Sequence, residues 1–346
     1  MRLVVKRDFI FFLLISIFLS LVVGNRGDTN DTSIYYSIFK NIDNFNLSDY
    51  ISFYNETGVE IGWGWYSKII SFFSESSVVL FTFFSFLIFL ILYRISEIIK
   101  IKYIYILYFY LPTGFFLIQQ FMQIRQALAI PLVIYGAVSF LSGNKKTSVI
   151  LFFFAVMFHQ VSIAFILVFL LYLLLTKYYT LGYSVSRFII VNIVIVVVGF
   201  FLARTIFLPL ASNFFDRIET YSSTDYAENV GFFSLANIKF YIEFLMILIL
   251  VNRKLLANNF FVFFVCCFTV GLTLRLAFFD FAILSGRLSN VFLFVEIFLI
   301  PILLLNRLSI QTFYFYAFSY FVLLLYVTWN FQAAQFLESA YFIPLN

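Results

Sequence analysis

Long apolar runs alternate with short polar clusters along the whole chain. Most runs hold about 15–25 residues, the length with which a helix crosses a hydrocarbon core of about 30 Å. A transmembrane barrel would show alternating segments of about ten residues, and that pattern is absent. The sequence therefore predicts an all-α, polytopic membrane helix bundle. The apolar runs lie near residues 8–24, 73–93, 103–118, 127–142, 148–175, 188–210, 240–251, 259–284, 288–305 and 310–328.

The fifth run, near 148–175, has an unusual length and contains the chain's single histidine, His159. Its roughly 28 residues would form a helix about 42 Å long, too long for one upright crossing. Lys and Arg collect on the cytoplasmic side of short loops. The basic clusters all share one side only if this run counts as two crossings. We therefore predict a break near His159, about 11 crossings and a cytoplasmic N-terminus. The basic clusters are Arg2/Lys6/Arg7, Arg94/Lys100/Lys102, Lys145/Lys146, Arg253/Lys254 and Arg307.

Two long polar segments face the outer side in this topology. They are near 25–68 and 211–239, and they hold most of the acidic residues. No linker, low-complexity stretch or repeat divides the chain, so we expect a single integral-membrane domain over 1–346. The basic and apolar start lacks a small-x-small cleavage pattern and is expected to be a retained first helix. Trp63 and Trp65 fit an interfacial aromatic belt.

Composition narrows the function classes. Hydrophobic residues make up 63% of the chain and charged residues 11%, as expected of a membrane protein. A phosphate-binding Walker loop, a dinucleotide fingerprint and a nucleophile elbow are all missing, which disfavours ATP-driven transport, hydride transfer and serine-hydrolase chemistry. A single histidine and the adjacent Cys266 and Cys267 offer no metal-ligand spacing. We expect no metal, no cofactor and no nucleic-acid partner.

Two arginines lie at outer helix ends, against the positive-inside bias. Arg125 stands between glutamines in FMQIRQALAI, and Arg287 stands in LSGRLSNVF. A charge at bilayer depth costs at least about 2.5–3.5 kcal/mol, so each must be paired, extended to the surface or functional. Arg125 either extends to the lipid headgroups or binds an anion. Its polar neighbours favour an anion site, and a guanidinium's two-pronged grip suits a pyrophosphate-linked lipid.

His159 and several outer carboxylates are further candidates. His159 either satisfies a helix end or, with its ordinary pKa of about 6.5, moves a proton or holds a phosphate. Glu56 and Glu60 either belong to a solvated loop or serve as a base for a sugar hydroxyl. Arg275 and Asp280 are five residues apart, which favours pairing between helices. The role of the deep Glu296 stays open at the sequence level.

Short motifs along nearly the whole chain resemble the EpsG-like branch of bacterial polysaccharide polymerases, the group that includes many Wzy-type O-antigen polymerases. Each motif is weak alone, but their order between the apolar runs is more specific. The motifs are Arg26 with Asp31, Thr32 and Tyr35; Glu56-x-Gly58 or Glu60-x-Gly62; Ile124 to Ala129; Phe158-His159 before Ser162 and Ala164; and Gly286-Arg287.

The resemblance implies an O-antigen or polysaccharide polymerase of the bacterial inner membrane with its active site facing the periplasm. It would move a growing glycan from a polyprenyl pyrophosphate carrier, such as undecaprenyl pyrophosphate, to a carrier-linked repeat unit, with inversion and without metal. Partners would be the carrier-linked oligosaccharide, membrane lipid and a chain-length regulator. A lipid-linked glycan flippase and an O-antigen ligase are the alternatives. The expected catalytic residues are His159, Arg125, Arg287 and Glu60, and the expected substrate-binding residues are Arg26, Asp31, Gln126, Glu56 and Arg217.

Overall fold

The computed structural model describes residues 7–29, 31–179, 184–207, 231–280 and 282–332, together with Ile343 and Leu345. These residues form helices joined by turns, and no strand occurs among them, which confirms the all-α prediction for this part of the chain. The α-helices, in chain order, are α1 (Arg7–Gly24), α2 (Thr32–Lys40), α3 (Tyr50–Thr57), α4 (Ile61–Ser71), α5 (Ser77–Ile99), α6 (Tyr103–Tyr110), α7 (Gly114–Leu117), α8 (Ile124–Leu141), α9 (Lys145–Phe158), α10 (Ser162–Tyr179), α11 (Val185–Leu202), α12 (Leu235–Leu250), α13 (Arg253–Leu256), α14 (Asn259–Ala277), α15 (Ala282–Leu293), α16 (Glu296–Arg307) and α17 (Ile310–Val327).

The chain divides into two compact packing units. The first falls within Met1–Ile163 and Gln311–Asn346, and the second within Ala164–Ile310. In the first unit, α5 packs against α1 and α8, and α8 packs along α9. In the second unit, α14 is central and contacts α11, α12, α15 and α16. A packing division does not test the prediction of a single domain, which stays a prediction.

Several helices are long and apolar enough to cross a membrane. Among the described residues there are five, or up to six if the pair Ser285–Leu293 and Glu296–Arg307, bent by 41°, is one span. Large apolar side chains on these and neighbouring helices are exposed, for example Phe201 on α11 and Phe315 on α17. Such surfaces suit lipid rather than water, so the helices indicate a multi-pass membrane protein. Eleven crossings and a cytoplasmic N-terminus stay predictions. The spanning helices are Ser77–Ile99, Ile124–Leu141, Val185–Ile206, Asn259–Ala277 and Ile310–Asn330.

The break in the fifth apolar run is where the sequence predicts it. Helix α9 ends at Phe158, and α10 begins at Ser162. His159 leaves the helix with extended dihedrals, φ −160° and ψ 123°. The Ser162 hydroxyl donates to the carbonyl of Ala155 at 3.1 Å and so satisfies an acceptor at the end of α9. The predicted break near His159 is therefore confirmed.

The third apolar run differs from its prediction. Instead of one helix over 103–118, the structure has α6 and the four-residue α7, separated by Leu111–Thr113. Pro112 lies in this gap. A proline has no backbone N–H to donate and disfavours helical dihedrals in the residue before it. The prediction of one helix used apolar content alone and therefore missed this interruption.

The first outer segment, near 25–68, is helical rather than an open loop. It contains α2, a short 3₁₀ helix (Ile42–Asn44), α3 and most of α4. Trp63, on α4, is fully buried and packs against the rings of Tyr35 and Phe84. Its assignment to an interfacial belt is therefore wrong, because the ring fills the core between these helices. Of the second outer segment, near 211–239, residues 208–230 lie outside the described part of the chain.

Candidate active site

A buried carboxylate joins three distant segments in the first packing unit. Glu60 immediately precedes α4, and its side chain is only 5% exposed. Its Oε2 forms a close ion pair with Nη1 of Arg125. Its Oε1 accepts a hydrogen bond from the backbone N–H of Gln160 at 3.3 Å. A buried charge is tolerated when it is paired and hydrogen-bonded, so Glu60 depends on both neighbours.

Tyr35 fixes the guanidinium of Arg125 from another direction. Arg125 lies in the first turn of α8 and donates from Nε to the Tyr35 hydroxyl at 3.0 Å. The guanidinium carbon also lies 5.4 Å from the centre of the Tyr35 ring. Burial raises the pKa of Tyr35 above its ordinary value, and the nearby Arg125 partly opposes that shift. The phenol therefore stays protonated and neutral near pH 7, and the Glu60 carboxylate balances the charge of Arg125.

His159 lies beside the same carboxylate. Its Nδ1 is 3.8 Å from Oε1 of Glu60, and the backbone N–H of Val161 donates to that Nδ1 at 3.2 Å. An ion pair through Nδ1 would require a proton there, whereas the Val161 hydrogen bond requires a lone pair. The hydrogen-bonded contact is the shorter one, so the neutral ring carries its proton on Nε2.

The break that contains His159 is also tied to α3. Gln160 donates from Nε2 to the hydroxyl of Tyr50 at 2.8 Å. Tyr50 opens α3, whose first turn is capped by the Asp49 carboxylate through the N–H groups of Ile51 and Ser52. Two short helices of the outer segment, α3 and α4, thus hold the non-helical backbone between α9 and α10. This arrangement keeps the histidine next to Glu60.

Arg26 supports this site from within the core. It is 1% exposed, its guanidinium carbon lies 4.0 Å from the centre of the Phe81 ring, and Nη1 donates to the carbonyls of Gln120 (2.7 Å) and Phe121 (3.0 Å). The hydroxyl of Thr29 donates to the same Phe121 carbonyl at 2.6 Å. These contacts hold the turn that leads into α8. Arg26 therefore has a structural role here, and its direct contact with substrate stays a prediction.

The other expected site residues are more scattered. Asp31 precedes α2 and is half-buried, and Gln126 is buried beside Arg125. Glu56 is exposed near the end of α3 and accepts a hydrogen bond from Ser52 Oγ at 2.7 Å. Arg287 is exposed on α15 in the second unit. Arg217 lies outside the described residues.

The structure thus brings three of the four expected catalytic residues together: Arg125, Glu60 and His159. It also adds Tyr35 and Tyr50, which the sequence did not single out as site residues. Tyr35 was visible only as a member of a family motif, and Tyr50 carried no signal. No group of three or more His, Cys, Asp and Glu suitable for a metal ion occurs in the described portion. The cluster offers a cation, an imidazole and a carboxylate, which suit anion binding and proton transfer.

Charged residues in the second unit are paired between helices. Nε of Arg275 donates to Oδ1 of Asn237 at 2.6 Å, and Asp280 forms an ion pair with Arg204. The prediction that Arg275 and Asp280 pair with other helices is therefore confirmed, and each residue has its own partner. Glu296, 1% exposed, forms an ion pair with Lys239. This pair joins α12 to the bend before α16.

Comparison with known proteins identifies a family for this chain. A family model described as the EpsG family matches residues 9–345, nearly the entire chain. No curated protein and no solved structure matches. The match covers both packing units and every segment of the Arg125–Glu60–His159 cluster, in agreement with the motif resemblance. The chain belongs to the EpsG family.

Proposed function

We propose that this protein is a membrane glycosyltransferase that polymerises a glycan carried on polyprenyl diphosphate. Membership of the EpsG family points to a polysaccharide-polymerase role. The observation that carries the finer assignment is the cluster in which Glu60 contacts both Arg125 and His159. A phosphate-binding cation, a carboxylate base and a proton-bearing imidazole are the groups that this transfer needs.

The reaction joins an acceptor hydroxyl to the anomeric carbon of the donor glycan. The hydroxyl oxygen forms the new glycosidic bond, and the bond from that carbon to the carrier diphosphate breaks. Arg125 neutralises the departing diphosphate, which accepts both prongs of the guanidinium. His159 donates from Nε2 to a diphosphate oxygen. A single displacement of this kind inverts the anomeric carbon.

Glu60 is the proposed base. Its carboxylate is engaged in an ion pair with Arg125. A bound diphosphate competes for the same guanidinium. Once Arg125 turns towards the diphosphate, the Glu60 carboxylate is released from the ion pair and can accept the hydroxyl proton. Donor binding thereby frees the base for the acceptor hydroxyl.

The cellular setting follows from the same proposal. The carrier is a polyprenyl diphosphate of the undecaprenyl type, and the product is an O-antigen or a related polysaccharide. The site faces the periplasm from the inner membrane, since the outer segment 25–68 supplies Glu60 and Tyr35 while the positive-inside rule assigns the basic clusters to the cytoplasm. A chain-length regulator is a proposed partner.

A deletion strain tests this function. We expect surface glycans one repeat unit long in the deletion strain, and long glycans after the native chain is restored. Absent surface glycans with lipid-linked repeats accumulating on the cytoplasmic side would indicate a flippase instead. Long glycans that accumulate on the carrier without reaching their final acceptor would indicate a ligase.

A further inference from the structure

An open groove of about 430 Å³ lies in the first packing unit between α2 and the end of α3. Its volume is within the range of about 300–1,000 Å³ that small-molecule sites occupy. Most of its lining surface is apolar, and polar side chains from both helices add hydrogen-bonding groups. The lining includes Ser33, Ser37, Asn41, Glu56, Ile34 and Phe45.

One wall of the groove is a polar ladder along α2. Ser33, Ser37 and Asn41 are spaced four residues apart, so they lie on one helix face, one turn after another. The Asn41 amide nitrogen donates to the Ser37 carbonyl at 2.9 Å, which leaves the amide oxygen as an acceptor. Serine hydroxyls both donate and accept. This wall therefore presents mixed hydrogen-bonding groups at intervals of about 6 Å, one helical turn.

The facing wall carries a carboxylate and the floor is apolar. Glu56 accepts a hydrogen bond from Ser52 at 2.7 Å, which fixes its side chain. Ile34 and Phe45 line the same groove, and the Phe45 ring is held edge-on against Phe53. A sugar ring has hydroxyl groups at its edge and apolar C–H groups on its faces. The polar and apolar lining of the groove is complementary to such a ring. The lining residues include no Lys or Arg, so the groove does not suit a diphosphate.

The groove shares its two segments with the Arg125 cluster. On α2, Ser33 and Ser37 flank Tyr35, which points to the other side and holds Arg125. At the end of α3, Glu56 stands four residues before Glu60. Gly58 makes the turn between them with φ 67°, a left-handed conformation that favours glycine. The groove and the Arg125 cluster therefore lie on opposite faces of α2 and are built from the same two segments.

We propose that this groove binds the sugar residues of the carrier-linked repeat unit, with Ser33, Ser37, Asn41 and Glu56 as hydrogen-bonding partners. The identity of the ligand rests on the proposed function, because the groove alone indicates only an uncharged carbohydrate. The sugars belong either to the donor glycan or to the acceptor repeat, and the chemistry of recognition is the same. Glu56 and Glu60, four residues apart, then have separate tasks: Glu56 selects sugar and Glu60 takes the proton.

Binding of a carrier-free sugar tests the groove without requiring catalysis. The probe is the repeat-unit oligosaccharide released by mild acid from the host strain's polymer, titrated onto the purified full chain in nanodiscs and followed by saturation-transfer NMR. Ser37→Trp, which fills the groove, is expected to abolish the signal. Asn41→Ala removes the amide, and Glu56→Gln replaces one acceptor oxygen of the carboxylate with a donor group and removes its charge. Each is expected to weaken binding by about three- to tenfold. Ser48→Trp, an exposed serine outside the lining, is the matched control and should bind as the native chain does.

Several results would overturn the assignment. One is equal binding by the native chain and by Ser37→Trp, and another is no binding by the native chain at millimolar sugar. Equal displacement of the probe by an alkyl chain without sugar would show that the apolar floor alone attracts ligands. If Ser37→Trp does not fold, unchanged binding in both Asn41→Ala and Glu56→Gln would decide against the groove.

The same variants separate this inference from the proposed function. Suppose that Ser37→Trp abolishes sugar binding but deletion of the protein does not shorten glycans; the groove would then stand as a sugar site and the polymerase function would be rejected. Suppose instead that the native chain makes long glycans but the groove variants bind sugar normally; the polymerase function would then stand and the groove would be rejected as the sugar site. In turnover assays, a raised KM for the acceptor repeat assigns the groove to the acceptor, and a raised KM for the donor assigns it to the donor.

Discussion

At Arg125, one guanidinium meets the Glu60 carboxylate and the Tyr35 hydroxyl. Each contact uses a different nitrogen, so the planar fork is needed as well as the charge. Arg125→Lys keeps the charge and loses the fork. We expect at least a tenfold loss of long-chain glycan, because one charge-assisted hydrogen bond contributes about 1.5–3 kcal/mol. The measurement is glycan length on gels at equal protein level.

A matched control is Arg94→Lys. Arg94 is exposed on α5 and pairs with Glu97 three residues later, an interaction of small value at a surface. It should leave the glycan pattern unchanged. Full-length glycan from Arg125→Lys as well would mean that Arg125 serves only to pair with Glu60 and Tyr35 and does not hold the diphosphate.

The sequence indicated the site residues but not their partners. Glu56 and Glu60 both precede a glycine by two positions, so the motif could not separate them. Burial separates them in the structure, where Glu60 is 5% exposed and Glu56 is on the surface. Likewise, Arg125 and Glu60 are 65 residues apart, and no periodicity links them. The packing of α8 along α9, and of α4 against α9, brings these segments together.

A break between helices could be predicted where an apolar run was too long for one membrane crossing. A run of about 28 residues could not be one crossing, and this placed the break near His159 correctly. The break at Pro112 could have been predicted from the proline itself, but the prediction followed the apolar content of the run and did not use it. The helices of 25–68 were missed because the segment's many polar residues resembled a loop, although α2 has a continuous buried face with Tyr35, Tyr36 and Phe39.

The contact between α4 and α9 sets the distance from Glu60 to His159. A Cβ on Gly62 would lie 2.6 Å from the backbone oxygen of Met157, two residues before His159. Backbone on both sides leaves no flexible side chain to yield, so Gly62→Ala must push α4 away from α9. We expect a loss of glycan polymerisation of at least tenfold and a lower melting temperature, measured in detergent.

The control for this substitution is Gly286→Ala on α15, scored by melting temperature. A Cβ there meets nothing within 4 Å, and alanine favours a helix over glycine by about 1 kcal/mol. Its melting temperature should be unchanged or higher. A Gly62→Ala chain that matches the native one in activity and melting would show that the close approach of α4 and α9 does not position the site.

The Lys239–Glu296 pair makes a separate prediction for α12 and α16. Lys239 also lies 3.8 Å from the buried carboxylate of Glu243, so it faces two acidic side chains. Removing one partner of a buried ion pair leaves an uncompensated charge and typically costs about 3–5 kcal/mol. Lys239→Met leaves both carboxylates without the lysine, whereas Glu296→Gln leaves Lys239 with Glu243, so Lys239→Met should lower the unfolding temperature in detergent more than Glu296→Gln does. A Lys239→Met chain as stable as Glu296→Gln would show that the lysine does not stabilise these carboxylates.

For the whole molecule, the number of crossings is set by how α9 and α10 are counted. The basic clusters share one side if these two helices cross separately. Reporters fused after Lys146 and Arg253 should then be cytoplasmic, and one fused after Asn229 should be periplasmic. A periplasmic signal after Arg253 would contradict two crossings and would make the break at His159 a kink within one span.

The division into two packing units had no counterpart in the sequence. Both units are rich in apolar residues, and no polar linker separates them at Ile163 or Ile310. In a membrane protein, apolar side chains cover both the helix faces that contact lipid and the helix faces that contact other helices. Hydrophobicity along the sequence therefore cannot distinguish the two kinds of face. The family match is likewise a property of the whole chain, since it extends from residue 9 to residue 345.

Reconstitution tests the central claim most directly. The purified chain in liposomes is supplied with carrier-linked repeat units, and glycan length and released polyprenyl diphosphate are measured together. The native chain should build glycans of many repeats and release one diphosphate carrier for each bond formed, whereas Glu60→Gln, present and folded at the same level, should do neither. Repeat units that stay single with the folded native chain, or long glycans made equally well by Glu60→Gln, would contradict the account.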